Sequence, residues 1–237
     1  MVHKIVNPPN HLAIIPDGNR RWSKKSRFNL FVGYKLGIKK FIDVSIWAKE
    51  LGISNISVWA LSTENIKNRS KKELNTLYML YTKASKDPNI LKLLKENRAR
   101  IKIIGNKSIL PKNLIEALML LENKTKHYKD LTINILVGYG GKDDIMHAIK
   151  KVVRKKIRGE ITRINYDIIK ENLRTAILPD ADLIIRTSGE MRTSGFLPWQ
   201  STYSEFYFSE KYWPNFEKED LRKAVETFSK RNRRFGK

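Results

Sequence analysis

The chain has 237 residues, 41% of them hydrophobic, enough to bury one continuous core, and its 47 Lys and Arg against 24 Asp and Glu give a formal net charge of +23. With no cysteine and four scattered histidines, disulfide stapling, thiolate catalysis and zinc-thiolate sites are excluded, and nothing suggests a histidine metal cluster. A charge of this sign and size points to an anionic partner, be it phosphorylated substrates, an anionic membrane surface or nucleic acid, without choosing among them.

No run of about 18 uncharged apolar residues occurs, and Asn7-Pro8-Pro9-Asn10 interrupts the place where a signal peptide would carry its apolar region, so a cytoplasmic protein is expected. Residues 11–16 read as a first strand. A helix over 33–51 follows, with Ile38, Phe41, Ile42, Ser45 and Ala48 at helical spacing and Gly52 as its closing glycine. After a second strand at 56–61, a helix over 73–85 carries Leu74, Leu77, Tyr78, Tyr81 and Ala84 on one face. Pro88 ends or bends it before 90–96 resumes. A third strand at 100–105 leads to Pro111, which suits the first turn of a helix through Leu114, Ile115, Leu118 and Leu121. The fourth strand, 131–138, runs into a helix capped by Asp143 or Asp144, with Ile145, Ala148, Ile149, Val152, Val153 and Ile157 as its stripe and Gly159 as its stop. Strands at 182–187 and 205–209 remain, then a last helix after Pro214 and Asn215 with Leu221, Ala224, Val225 and Phe228 inward. Five of the six strands are short apolar runs, as strands covered on both faces require. The alternation predicts an α/β fold, a parallel sheet with helices on its faces, as a single domain over 1–237.

In such a sheet ligands bind beyond the carboxyl ends of the strands, so the residues that follow each strand carry the chemistry. After the first come Asp17, Gly18, Asn19, Arg20, Arg21 and Trp22: a glycine for close approach, a helix start with free N–H groups, and two guanidinium forks, together a diphosphate cradle. Asp17 is the odd member, because its charge repels a phosphate unless a cation lies between them, which points to Mg2+. After the second strand come Ser62, Thr63, Glu64 and Asn65, with Arg69 beyond, where Ser62 or Thr63 also suits a helix cap. After the fourth, Gly138 to Gly141 reads as a tight turn that keeps the crevice open. After the fifth, Arg186, Arg192, Thr193 and Ser194 lie on a glycine-flanked loop that makes a second anion site. Two cradles on one crevice suggest two phosphorylated substrates side by side. The chain lacks GxxxxGK[ST], GxGxxG and a DDxxD pair, the usual signatures of nucleotide phosphoryl transfer, dinucleotide binding and all-trans prenyl synthesis.

HLAIIPDGNRRW at 11–22, ALSTEN at 60–65, NILVGYGG at 134–141, DLIIRTSGEMRTSGFLPWQ at 182–200, and SEFYF with RNRRFG near the end stand in the order of one family. Over nearly its whole length the chain resembles the cis-prenyltransferases, the undecaprenyl diphosphate synthase family, with wording nearest to archaeal members. The resemblance implies a six-stranded parallel sheet flanked by helices, a hydrophobic tunnel for the growing tail, and a homodimer. It implies Mg2+-dependent condensation of isopentenyl diphosphate with an allylic prenyl diphosphate, geranylgeranyl diphosphate in archaeal members. The product would be a cis-polyprenyl diphosphate, the precursor of a glycosyl carrier lipid. By the same resemblance Asp17 is the essential carboxylate that works through Mg2+. Gly18, Asn19, Arg20 and Arg21, with Trp22 beside them and Arg69 opposite, hold the allylic diphosphate. Asn65 is the proton acceptor beside Ser62, Thr63 and Glu64, while Arg186, Arg192, Thr193 and Ser194 bind isopentenyl diphosphate. Glu205 shares the metal across the dimer, and Arg234-Phe235-Gly236 form a tail that reaches a partner's site.

The chain departs from the family pattern at Leu30 (usually Arg), Tyr34 (usually His), Met191 (often His), Ile66 (often aromatic), and at Arg69, one position late, with Asn68 in its place. These changes leave the allylic side less basic and motivate a second enzyme reading, a short or irregular head-to-middle prenyl product. From another class, a nucleic-acid-binding module would stack bases on Tyr203, Phe206, Tyr207 and Phe208 beside Lys211. In a strand near Trp199 these rings read as core, so no nucleic acid is expected. A non-catalytic subunit would not be expected to keep both Asp17 and the paired arginines. The tunnel floor is expected over 74–94, widened where Lys86-Asp87-Pro88 interrupts a helix. A basic surface and an oily product together imply peripheral contact with an anionic membrane.

Overall fold

A computed structural model describes residues 5–231, so the Arg234-Phe235-Gly236 tail lies outside the described residues. Six strands, β1 (His11–Ile15), β2 (Asn55–Ser62), β3 (Ala99–Ile104), β4 (Leu131–Tyr139), β5 (Leu183–Arg186) and β6 (Glu205–Phe208), form one sheet in the order β3-β4-β2-β1-β5-β6. Every pairing is parallel, as the short apolar runs predict. The helices are α1 (Asn19–Lys25), α2 (Leu30–Glu50), α3 (Thr63–Asn68), α4 (Lys71–Ala84), α5 (Pro88–Glu96), α6 (Lys112–Thr125), α7 (Gly141–Ile157), α8 (Tyr166–Asn172) and α9 (Lys218–Ser229).

Side chains of successive strand residues point to opposite faces, and the two cores follow that rule. Leu12 and Ile14 of β1, with Leu183 and Ile185 of β5, join the core beneath α2, α4, α6 and α9. Ala13, Ile15 and Ile184 join a second core with Leu136, Tyr139, Phe196 and Leu197 on the other face. Both faces of the central strands β1 and β5 are buried, whereas β3, at the sheet edge, alternates, with Arg100 and Lys102 half-buried. One buried polar patch crosses the sheet: His11 Nε2 pairs with Ser57 Oγ at 2.7 Å, and Asn134 Nδ2 donates to the same oxygen at 3.2 Å.

Several helix starts differ from expectation, each for a local reason. α2 begins three residues before Gly33 because Asn29 caps it, its Oδ1 accepting from Val32 N at 3.0 Å. Its buried residues are Gly33, Tyr34, Gly37, Val44, Ser45 and Ala48, and Ile38, Phe41 and Ile42 join Tyr34, Gly37 and Ser45 in lining a cavity. Lys86-Asp87-Pro88 does interrupt the fourth helix: α4 stops at Ala84, and Asp87 caps α5 with Pro88 in its first turn. Pro111 occupies the cap position of α6 rather than its first turn. Neither Asp143 nor Asp144 caps α7, which starts at Gly141 behind Gly140. Asp144 is buried instead, accepting from Arg174 N and Thr175 Oγ1, each at 2.6 Å. The stripe expected on α7 is only partly inward: Ala148 and Val152 are buried, but Ile149, Val153 and Ile157 are exposed. Nor did any apolar periodicity announce α8, a short helix held by its Asn165 cap.

Candidate active site

The register of the sheet builds the site. Ile15 ends β1 opposite Arg186, the last residue of β5, so Asp17, two residues further on, lies against the loop that follows β5. Three backbone contacts hold that turn. Asp17 N donates to Ile15 O (2.9 Å), while Asp17 O accepts from Trp213 N (3.0 Å) and from Thr187 Oγ1 (2.7 Å). Gly18 sits at φ +97°, and a Cβ there would lie 2.8 Å from the Tyr212 ring, so only glycine fits this turn into α1.

The Asp17 carboxylate is bracketed by donors. One oxygen accepts from Gly18 N at 2.6 Å, and the other from Arg186 Nη2 at 2.9 Å with Arg21 Nη2 3.3 Å away. Arg186 is buried and directed by its second nitrogen, Nη1, which donates to Arg192 O (2.6 Å) and Ser194 Oγ (2.9 Å). Its Nε is buried with no hydrogen-bond partner among the described residues. The loop that delivers these groups is strained: Ser188 (φ 82°), Ser194 (φ 53°) and Leu197 (φ 48°) all sit in the left-handed region, a conformation that persists where the surroundings over-determine it. Glu190 joins the two cradles, taking Arg21 at 2.7 Å and also Arg192. Hydrogen bonds from Arg21 and Arg192 lower its pKa below the usual carboxylate value.

A second cluster was not singled out from the sequence. Glu73 follows Ser70 at the spacing of a helix capping box, and Ser70 Oγ does accept from Glu73 N at 3.2 Å. The Glu73 carboxylate turns away from the cap to Arg69 (3.3 Å), Arg20 (3.6 Å) and the Tyr34 hydroxyl, which donates to it at 2.5 Å. Arg69 Nη1 also donates to the Tyr34 oxygen at 3.3 Å. Burial, the largest cause, pushes the Tyr34 hydroxyl pKa up, and its bond to the Glu73 carboxylate adds to that, so it stays a donor. Tyr34 thus bonds to Arg69 directly and to Glu73, which in turn reaches Arg20.

Two cavities meet here. A polar one of about 370 Å³ is lined by Asp17, Gly18, Asn19, Arg20, Arg21, Tyr34, Arg69, Glu190 and Arg192. An apolar one of about 400 Å³ shares Asp17, Asn19, Tyr34 and Arg69 at its mouth, adds Ser62, Glu64, Asn65, Arg186 and Ser194, and runs down between α2, α4, α5 and the sheet. Its walls are Ile38, Phe41, Ile42, Leu77, Tyr81 and Ala84, and its floor is Ile90, Leu93, Leu94, Ala99, Leu118 and Leu131. Residues 74–94, expected as the tunnel floor, contribute both wall and floor, while Lys86, Asp87 and Pro88, where a widening was expected, do not line the cavity.

Most of the residues singled out from the sequence therefore converge, and four do not line either cavity. Trp22 donates from Nε1 to Asn215 Oδ1 at 2.8 Å and stacks on Phe28. Thr193 spans the loop between Arg192 and Ser194, and Thr63 is buried beside Gly140, where a Cβ would lie 2.2 Å from its Oγ1. Gly140 and Gly141 thus serve close packing rather than an open crevice; a Cβ on Gly141 would lie 2.3 Å from Gly195 O. Glu205 opens β6 opposite Leu183, three residues before Arg186, about 10 Å back along the sheet, where it pairs with Arg231. No three Asp, Glu or His side chains converge as a metal site among the described residues. Asp17 alone offers a carboxylate at the junction of the cavities, which suits Mg2+, an ion commonly held by one or two carboxylates plus substrate phosphates.

Comparison with known proteins agrees with this geometry. The prenyltransferase family model for undecaprenyl diphosphate synthase matches residues 15–236. The chain is 42% identical over 235 residues to a tritrans,polycis-undecaprenyl-diphosphate synthase (geranylgeranyl-diphosphate specific) of Methanocaldococcus jannaschii, covering 98% of this chain and 84% of that protein. It is 40% identical to an isoprenyl transferase of Thermotoga maritima, covering 96% and 97% of the two chains. Lavandulyl diphosphate synthase from Lavandula x intermedia, solved in complex with dimethylallyl diphosphate, superposes with a TM-score of 0.92 at 34% identity over 97% of this chain and 99% of that one. A charged double cradle at the mouth of an apolar channel, on this sheet and with these relatives, places the chain in the undecaprenyl diphosphate synthase family of cis-prenyltransferases.

Proposed function

We propose that the protein condenses isopentenyl diphosphate with an allylic prenyl diphosphate, geranylgeranyl diphosphate by analogy with its archaeal relatives, and repeats the step to a cis-polyprenyl diphosphate that serves as a glycosyl carrier precursor. The observation that carries this reading is the junction at Asp17, where a polar cavity and an apolar one share a wall. A diphosphate and an oily tail are satisfied together only at such a border.

In this scheme Gly18, Asn19, Arg20, Arg21 and Arg69 hold the allylic diphosphate, and Arg186, Arg192 and Ser194 hold that of isopentenyl diphosphate. The allylic carbon C1 loses its diphosphate as the isopentenyl double bond attacks it, and the new carbon–carbon bond is completed by loss of a proton from the isopentenyl unit. The arginines stabilise charge that grows on the departing diphosphate, an electrostatic contribution. Asn65, at the channel mouth, accepts the proton; an amide does not retain one near neutrality, so it passes to the released diphosphate. Mg2+ held by Asp17 and Glu205, with substrate oxygens, would supply further charge neutralisation.

Since Glu205 lies away from Asp17 within one chain, its part in metal binding requires a second copy. α7 exposes Met146, Ile149, Val153 and Ile157, an apolar surface suited to a homodimer, and β6 is a sheet edge whose four residues are only half-buried. No described helix is long and apolar enough to cross a membrane; the enzyme is proposed to work in the cytoplasm, at the inner face of the membrane that receives its product. Incubation with Mg2+, labelled isopentenyl diphosphate and a panel of allylic primers, followed by sizing of the products, tests the activity. Absence of product with every primer would reject it, and a short irregular product would favour the head-to-middle alternative.

A further inference from the structure

Between Gly18 and Ile42 the chain carries eight Lys and Arg and no Asp or Glu. In the fold this stretch is α1, the turn 26–29 and the first half of α2. Arg20 and Arg21 belong to the diphosphate cavity. The other six do not: Lys24, Lys25, Arg27, Lys35 and Lys39 are exposed, Lys40 is half-buried over the Trp47 ring, and among the described residues none of the six forms an ion pair.

The turn presents apolar groups among these charges, and it is built to do so. Arg27 takes a left-handed conformation (φ 58°), and Phe28 N donates to Ser23 O at 3.0 Å, folding the turn back on α1. The Phe28 ring lies 5.6 Å from that of Trp22 at an interplanar angle of 12°, and Trp22 is itself fixed to Asn215. Yet Phe28 remains 55% exposed, with Leu30 and Leu36 also exposed nearby in sequence. A ring held rigidly outward among unpaired bases matches the composition of an interfacial anchor, in which apolar tips enter the headgroup layer and bases meet lipid phosphates.

We propose that the α1–α2 hairpin docks the protein on an anionic phospholipid surface, with Phe28 and Leu30 entering the headgroup layer and Lys24, Lys35 and Lys39 facing its phosphates. The partner is named on the premise that the channel holds a prenyl tail. The same helix α2 that carries Lys35 and Lys39 forms the channel wall through Ile38 and Phe41, so docking would set the channel mouth beside the bilayer that takes up its product. Aliphatic tips beside a single ring favour lipid over nucleic acid, which recruits several flat rings for stacking.

The test is co-sedimentation with phosphatidylcholine vesicles and with vesicles also containing phosphatidylglycerol, for the wild type, Phe28→Ser with Leu30→Ser, and Lys24→Gln with Lys35→Gln and Lys39→Gln. Wild type should sediment only with the anionic vesicles and be released by salt. Removal of three bases should weaken binding roughly a hundredfold, at about 1 kcal/mol or near fivefold each, and the apolar pair should weaken it several-fold. Thermal melts establish that the variants are folded, and prenyl transfer in detergent should stay within about twofold of wild type. Equal binding by wild type and the folded variants, binding to neutral vesicles alone, or patch-dependent binding of a single-stranded oligonucleotide without vesicle binding would each overturn the proposal. A protein that turns over in detergent but ignores anionic vesicles refutes the docking alone, whereas one that docks without turning over refutes the prenyl reading alone.

Discussion

Replacing Asp17 with alanine separates what the carboxylate does for the fold from what it does for the reaction. Its backbone oxygen, not its side chain, holds the turn to Trp213 N and Thr187 Oγ1, so the turn should survive. Arg186 loses one acceptor on Nη2 but keeps Arg192 O and Ser194 Oγ on Nη1, and Gly18 N loses the acceptor it had in Asp17 Oδ1. A buried donor left unsatisfied costs about 1–3 kcal/mol, against a total stability of roughly 5–15 kcal/mol for a domain, so a folded protein with a lowered melting temperature is expected. Turnover should fall at least a hundred- to thousandfold, the usual effect of removing one group that stabilises developing charge. Asp17→Asn sharpens the comparison: its amide oxygen can still accept from Arg186 while its amide nitrogen cannot accept from Gly18 N, so it should recover part of the stability and little of the activity. Incorporation of labelled isopentenyl diphosphate, with melts by circular dichroism, reads both quantities. A folded Asp17→Ala protein working within tenfold of wild type would refute the role given to this residue.

Glu73→Gln removes the charge that holds Arg20 and Arg69 and should raise KM for the allylic substrate roughly tenfold, by the weight of one charge-assisted hydrogen bond, with KM for isopentenyl diphosphate nearly unchanged; steady-state kinetics on each substrate checks it. Ala84→Phe narrows the channel at the α4–α5 break and should shorten the product by at least one isoprene unit at a stability cost of about 1–3 kcal/mol, read by chromatography of the dephosphorylated products. Burial, the largest cause, lowers the His11 pKa although the Pro179 and Asp180 carbonyls and Asp182 oppose it. The folded protein therefore binds the proton less readily than the unfolded chain, and stability should fall as pH drops below about 6.5. Ring NMR titration together with urea melts at several pH values tests this, and an unshifted His11 with pH-independent stability would contradict it.

The sheet was legible because most of its strands are short apolar runs and the central β1 and β5 are buried on both faces, so Leu12 and Ala13 could be read as core without knowing which face each serves. Helix faces were harder. Ile38, Phe41 and Ile42 share the spacing of core residues, yet they border a channel, and periodicity does not distinguish a wall that packs against protein from one that packs against a ligand. The same limit applies to Ile149, Val153 and Ile157, apolar in pattern and exposed in the single chain. Within the site, Asp17 and Arg186 were readable from their places after strands, and sheet register brings them to 2.9 Å. Glu73 was not readable, because its spacing from Ser70 fits a helix cap and nothing local reveals that its carboxylate turns to Tyr34 and two arginines.

The charge arrangement explains why one carboxylate belongs in a site built for anions. Five arginines line the two cavities, Arg20, Arg21, Arg69, Arg186 and Arg192, but so do Asp17, Glu64 and Glu190, and Glu73 stands behind Arg20 and Arg69. Most of the guanidinium charge is thus already answered within the protein, by Glu73 for two arginines and by Glu190 for two others. These carboxylates hold the forks in place before substrate arrives, which lowers the ordering cost of binding, but they leave a surplus too small to balance two diphosphates at once. In the proposed reaction a cation carried on the substrate oxygens would supply the missing positive charge. The carboxylate placed to receive it is Asp17, at the wall shared by the polar and apolar cavities, whose exposure is 29% where Arg186 beside it has 6%. The Arg186 pair orients Asp17 from the protein side and leaves its open side toward the ligands. A parallel sheet supplies this division of labour directly: the ends of β1 and β5 collect the charges at one rim, and the apolar faces beneath α2 and α4 continue from that rim as the channel for the tail.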